Sequence, residues 1–248
     1  MTTIYILWLR QMKRYFRSKS RMIGSLAQPL LFMVALGFGL GPVFAKAGEG
    51  NYINFLVPGI IGMSIIFSAV FSGIEIIWDK QFGFLKETLV APVSRFNIML
   101  GRTLGGATQS VMQGSIVFVI SLFIGFRPTN WYLIPIFILL MLLVALLFTA
   151  VGTMIASLLD DMQGFQLIVN FMVMPLFFLS GAIFPLTGVS KVLSSIAAFD
   201  PLAYGIDSFR AVLINTTTFS LHVDVIVLSI TTLFFLSLGS YFFTKIQI

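Results

Sequence analysis

Six long apolar stretches, separated by short charged or Gly/Pro-rich breaks, leave this chain few options. They fall at residues 22–45, 53–77, 103–126, 132–159, 164–184 and 225–243. A helix of about 20 residues crosses the hydrocarbon core of a bilayer. Backbone buried in hydrocarbon has no water to bond to, so each stretch must close its hydrogen bonds within itself, as a helix. Only 10% of the residues are charged, against roughly 25% in soluble domains. A surface facing water could not be covered with so few. The expected fold is therefore an all-α integral membrane protein of six transmembrane helices. No internal repeat or long linker divides residues 1–248, which read as a single transmembrane domain.

The charges are unevenly placed. Of fifteen Lys and Arg residues, six (Arg10, Lys13, Arg14, Arg17, Lys19 and Arg21) lie within the first 21 positions. A nucleic-acid tail has a similar composition, but here apolar spans follow at once. Membrane lipid is the expected partner, and nucleic acid is not. With the N-terminus in the cytoplasm, Lys80, Lys86, Arg95, Arg102 and Lys245 join those six inside, leaving Lys46, Arg127, Lys191 and Arg210 outside. That bias is the positive-inside pattern. An even number of spans returns the C-terminus to the cytoplasm of a multi-pass plasma-membrane protein. Trp131 and Tyr132 fall at the outer interface and Trp78 at the inner one, where an aromatic belt belongs. The first apolar run, of about 24 residues, exceeds the core of a signal peptide and is expected to stay as a span.

Residues 4–21 have helical periodicity. Arg10, Lys13, Arg14, Arg17 and Arg21 share one face, and Tyr5, Trp8, Leu9, Met12 and Tyr15 form another stripe. Such a helix lies in the headgroup layer, its cations near anionic lipid. It serves as an anchor that fixes orientation, as a lever beside a cytoplasmic partner, or as both. The longest inner loop, 79–95, holds Phe82, Leu85 and Leu89 at i, i+3 and i+7, with Lys80, Lys86 and Glu87 elsewhere on the turn. Pro92 disfavours helix at Ala91, so a short amphipathic helix should end near Val90. Its apolar face either enters a groove in a partner or packs back onto the chain's own spans.

Catalytic chemistry finds little support. His222 is the only histidine and no cysteine is present, which leaves no cluster of metal-ligand spacing. Asp160-Asp161 is a lone acidic pair, a poor match to a Mg²⁺-holding enzyme site, and reads as a solvated loop. Glu75 lies one turn from Asp79 near the inner end of span two. An acid at membrane depth is a functional suspect, but here it is expected to reach inner water. Asn215-Thr216-Thr217 fits a glycosylation triplet. Gly59 and Gly62, Gly101 and Gly105, and Gly106 with Gly114 mark close helix packing. No G-x-x-x-x-G-K-[ST] occurs in the sequence, so no phosphate-cradling loop belongs to this chain.

The segment 175–211 carries more information. Its apolar span breaks at Ser180-Gly181 and stops at Pro185. A half-polar stretch follows, ending in Asp200, Asp207 and Arg210. Taken with the basic helix before a first span bearing Pro29, and with GFLKETLVAPVSR ahead of Gly101-Arg102, the order LSGAIFP then FDPLAYGIDSFR resembles the ABC-2 type permeases. These are membrane subunits of ATP-driven exporters. The family's common acidic-Gly-Thr-Leu-Glu pattern is altered here by Phe84 and Lys86, which makes side-chain contacts less transferable than the loop itself.

The resemblance implies roles for particular residues. Residues 82–90, with Phe82, Leu85, Lys86, Glu87 and Leu89, would be a coupling helix lodged in a cleft of an ATPase. Residues 4–21, with Arg10, Lys13, Arg14 and Arg17, would be the interfacial connecting helix. Residues 186–213 would form an outer hairpin of short re-entrant helices between spans five and six. Ser180, Gly181, Pro185, Pro201, Asp207 and Arg210 would shape it, with Pro201 breaking the helices. Two such units, identical or sister chains, would pair above two ATPase subunits that bind ATP and Mg²⁺, with no cofactor or catalytic residue in this chain. A hydrophobic or amphipathic drug, antibiotic or lipid-like molecule would pass between the units. An ion-coupled secondary transporter would want acids or broken polar helices near the midplane, and a lipid-modifying enzyme would want clustered Asp, His or Lys. The sequence offers neither pattern.

Overall fold

The computed structural model describes residues 2–46, 51–90, 92–186 and 190–246. The described chain is helical, with no strand. In order, the helices are α1 (Thr2–Arg17), α2 (Lys19–Lys46), α3 (Tyr52–Phe71), α4 (Ile74–Gln81), α5 (Phe84–Val90) and α6 (Arg95–Ile124). They continue with α7 (Ile134–Leu158), α8 (Met162–Leu179), α9 (Lys191–Ala198), α10 (Pro201–Ile214) and α11 (Leu221–Thr244). Six segments are long and apolar enough to cross a membrane: Met22–Phe44, Tyr52–Gln81, Arg95–Ile124, Trp131–Leu158, Met162–Leu179 and Leu221–Thr244. This is the all-α, six-span architecture expected.

Several boundaries differ from the sequence reading. The N-terminal helix ends at Arg17, because Ser18 interrupts it where the chain turns from α1 into span one. Span two is bent at Ser72-Gly73, between α3 and α4. Span three starts at Arg95, where the Ser94 hydroxyl accepts from the Asn97 amide and caps it. Span five ends at Leu179, short of residue 184. Ser180 caps it, and Gly181 then takes φ +74, a left-handed turn that glycine makes without strain.

The helix α3 is the axis of the bundle. Leu56, Val57, Ile60, Ile61, Ile65 and Ile66 on it are all fully buried, against α2, α6, α7, α8 and α10. Two approaches are close enough to exclude any side chain. A Cβ on Gly59 would strike the Ala182 backbone beyond span five, and one on Gly152 of α7 would strike the backbone of Val70. Spans α2, α8 and α11, by contrast, leave most of their surface uncovered. The helix α10 is buried along nearly its whole length, from Leu202 to Leu213. It packs on α3, α7 and α11 at the end of the bundle opposite α1 and α5.

Candidate functional site

The helices α1 and α5, the start of α6 and the end of α11 lie at one end, which we call the basic end. There α1 lies against a small-residue face of α6. A Cβ at Gly101 would come within 3.1 Å of the Ile4 backbone, and one at Gly105 would meet the Gln11 side chain. Two further bonds fix the pair. Trp8 Nε1 donates to Thr108 Oγ1 at 3.0 Å, and Gln109 Nε2 donates to the Gln11 carbonyl at 3.0 Å.

The cationic face of α1 is divided. Arg10 donates to both oxygens of Asp79 at 3.1 Å, and Arg14 reaches Glu75 at 3.4 Å. Arg102 of α6 reaches the same Asp79 from the other side. Asp79 and Glu75 are both buried, as is Arg102. Glu75 therefore does not reach water as the sequence suggested, because the inward-turned Arg14 takes that place. Lys13 and Arg17 are exposed. Arg14 also lies 3.8 Å from Asp79, and a buried carboxylate among three guanidiniums is costly to remove, since its loss leaves charge without compensation.

The loop after span two is short and angular. Phe82 ends α4, and Gly83 adopts φ +79 to redirect the chain into α5, which ends at Val90. Phe82 and Leu85 do not share one outward face. Phe82 is 61% exposed, while Leu85 is 1% exposed and joins the protein's own core. The break at Gly83 rotates α5 relative to α4, so Phe84, 50% exposed, takes the outward position. Glu87 is exposed, and the side chains of Lys86 and Leu89 lie outside the described residues. Between α1 and α5 runs an open groove of about 840 Å³, lined by Ile6, Leu9, Arg10, Lys13, Arg14 and Arg17 with Phe84. α1 and the start of α5 thus share one groove lined by both apolar and basic side chains.

Lys80 secures that surface to spans four and five. Its ammonium donates to the carbonyls of Ser157 and Leu159 and to Asp160 at 3.0–3.4 Å, which neutralises the negative end of α7. Asp161 caps α8 through its bond to Gly164. Arg95 donates to the carbonyls of Thr244 and Ile246, tying the end of α11 to the start of α6. Among the described residues no three His, Asp or Glu side chains gather as a metal site would require.

At the opposite end, Ser180 is buried and donates to the Phe177 carbonyl. Arg210 is 5% exposed and donates to the carbonyls of Gly181, Ala182 and Phe55. Its guanidinium carbon also lies 3.9 Å from the centroid of the Phe55 ring. Asp207 accepts from the backbone amides of Thr218 and Phe219. Asp207 and Arg210, neighbours on α10, thus serve different loops rather than each other. Pro201 opens α10, and Asp200 caps it by accepting from the Leu202 amide at 2.8 Å. Burial pushes the Asp200 carboxyl up to about 7 against the opposing pull of that amide bond. Pro185 lines a cavity of about 400 Å³ at this end with Asp207 and Arg210; positions 187–189 of the expected hairpin lie outside the described residues.

Sequence reasoning missed two features. One is Arg102 as the buried partner of Asp79, which nothing local to either residue announces. The other is a set of amides on the uncovered face of span five, Gln163, Gln166 and Asn170, all exposed. Their spacing of three and four residues was visible as a helical stripe.

A family model described as ABC-2 type transporter matches residues 2–214. Nodulation protein J of Rhizobium leguminosarum bv. trifolii is 27% identical over 241 residues, covering 94% of this chain and 87% of the relative. The protein ycf38 of Pyropia yezoensis, whose name describes a transport permease, is 32% identical over 207 residues, covering 81% and 70%. With a match across most of its length, a six-span bundle and a basic surface at one end, the chain belongs to the ABC-2 type transporter family.

Proposed function

We propose that this chain is the permease subunit of an ATP-driven exporter in the plasma membrane, with the basic end and both termini in the cytoplasm. The observation that carries the reading is the continuous α1–α5 surface and its ionic link, through Arg10, Asp79 and Arg102, to spans two and three. A soluble ATPase with its own phosphate-binding loop, present in two copies, binds ATP and Mg²⁺ and receives Phe82 and Phe84 in a cleft. Closure of the ATPase pair moves α5. The ionic cluster passes that movement to α1, α4 and α6 together, and the spans rock as packed bodies. ATP has to stabilise the outward-facing arrangement more than the inward-facing one, since only differential binding shifts an equilibrium.

A second permease subunit, identical or a sister chain, completes the pathway. The exposed amides Gln163, Gln166 and Asn170 support this. An amide facing hydrocarbon loses its hydrogen bonds, and a facing subunit or a polar path between subunits restores them. The cargo is a hydrophobic or amphipathic molecule of the drug, antibiotic or lipid-like kind, because the spans present no charged ring to a hydrated ion.

The test is the pair Phe82→Asp and Phe84→Asp in one chain. Vanadate-sensitive export and co-purification of the ATPase should both be lost while membrane insertion and elution profile stay normal. Undiminished export by that variant would remove the coupling assignment. Uphill transport by the permease alone, driven by an ion gradient, would replace the whole reading with a secondary transporter.

A further inference from the structure

The cavity of about 400 Å³ at the end opposite α1 and α5 lies among the start of α3, the chain after α6, and α10 with the segment that follows it. Three of the described charged side chains line it: Arg127, Asp207 and Arg210. Two guanidiniums thus share one carboxylate, which leaves one positive charge over. That carboxylate is already committed, since Asp207 accepts from the backbone amides of Thr218 and Phe219.

Both arginines have donors to spare. Arg210 spends only Nη2 on the fold, on the carbonyls of Phe55, Gly181 and Ala182. Its Nη1 makes no hydrogen bond, and its Nε is buried without a partner. Burial draws the pKa of this guanidinium down to about 10 against the pull of Asp207, so the fold compensates its charge only in part. Arg127 is exposed and spends only Nη1, on the carbonyls of Leu122 and Phe126. Neither arginine has a further hydrogen bond or ion pair. The side-chain amide of Asn54 makes no hydrogen bond at either end, and its oxygen is buried. Thr216 and Thr217 add exposed hydroxyls, and Phe44, Leu186 and Ile214 add an apolar part of the wall.

We propose that this cavity binds a phosphodiester. A buried guanidinium with idle donors is costly until an anion meets it. One negative charge balances the one positive charge that the lining leaves over, whereas a phosphate monoester, with a charge of about −1.5 to −2, overshoots it. Guanidiniums bond phosphate oxygens through charge-assisted contacts, and the cavity offers more donors than the two oxygens of a carboxylate can use. Its volume falls within the range of about 300–1,000 Å³ usual for small-molecule sites. That leaves room for the organic arms of the ester against Phe44, Leu186 and Ile214. The phosphodiester belongs to a lipid headgroup or to a soluble molecule, and the experiment separates the two. The inference does not depend on the transporter reading above.

Binding is read by native mass spectrometry of the full-length chain, delipidated in dodecyl maltoside, a detergent without phosphate. The probes are dihexanoylphosphatidylglycerol and the uncharged dihexanoylglycerol, equal in acyl length. The phosphodiester probe should add saturably, one molecule per chain, and bind about tenfold tighter than the uncharged one. Arg127→Gln should weaken it about tenfold, as the loss of one charged hydrogen bond implies, and Arg127→Lys should recover part of the loss. Arg210→Gln should abolish it. Arg210 also holds three carbonyls, so Arg127→Gln, which frees only two carbonyls of its own turn, keeps the test if Arg210→Gln fails to fold. Millimolar dimethyl phosphate is the soluble arm. Displacement of the lipid probe by it means that the phosphate group suffices and soluble phosphodiesters bind; retention of the probe means that the acyl chains are needed and the source is lipid. No saturable adduct, equal adducts from both diacyl probes, or undiminished binding in Arg127→Gln overturns the proposal. Glu49 is the one acid outside the described residues, and Glu49→Gln should leave binding unchanged. A tenfold gain there would make Glu49 the counter-ion of the cavity and also overturn the proposal. None of these results bears on the coupling reading, which stands or falls on Phe82 and Phe84.

Discussion

Asp79 accepts from Arg10 at 3.1 Å and also from Arg102, and is 2% exposed itself. Its removal strands Arg102, a buried guanidinium whose Nε already lacks a partner. We expect Asp79→Ala to destabilise the protein by about 3–5 kcal/mol, visible as early unfolding in detergent. The double change Asp79→Leu/Arg102→Leu should recover most of that loss, because a matched apolar pair needs no compensation. A double variant no better than Asp79→Ala would mean that the cluster is not the source of the effect. Neither residue advertised the other in the sequence. Asp79 read as a loop residue and Arg102 as one more inner cation, and only the packing of α1 onto α6 brings the two and Arg10 together.

Elements were more legible than contacts. The six spans followed from length and hydropathy, because hydrocarbon admits one local solution for the backbone. Their ends followed less well. The bend at Ser72-Gly73 leaves hydropathy unchanged, and the first two turns of α6 carry Arg95, Asn97 and Arg102, which hide the start of that span from a hydropathy reading. Leu85 shows the general difficulty. Periodicity put it on one stripe with Phe82 and left open whether that stripe met a partner or the chain's own spans; Gly83 breaks the stripe, so Leu85 packs inward while Phe82 stays exposed. The hairpin α9–α10 was visible through Pro201 and its cap. Asp200 there has a folded-state value near 7, raised above that of the unfolded chain. The native state therefore holds the proton more tightly, so stability is greatest below the ordinary carboxylate value and declines as pH rises towards 7. The slope contributed is at most about 1.4 kcal/mol per pH unit. Asp200→Asn keeps an acceptor for the Leu202 amide and should flatten thermal stability between about pH 4 and 7. An unaltered slope would place the titration elsewhere.

At the scale of the whole molecule, the uncovered spans would decide how the two subunits of the proposed pair meet. The chain has no cysteine, so a single introduced one reports without background. Cysteine at Gln166 or Asn170 should form a disulfide between permease subunits in oxidised membranes. Cysteine at Leu233, 66% exposed on α11, should not. Equal cross-linking at the two spans would argue against α8 as the facing surface.

The buried helix α10 has a mechanical consequence for any such pair. It ties α3, α7 and α11 together at one rim, while their other ends meet α1, α4 and α6 through charged groups. A bundle stitched at one rim cannot part there between its own helices. In the proposed pair each subunit would therefore tilt like one leg of a pair of compasses, and the proposed exit for cargo would open along the seam where two legs meet.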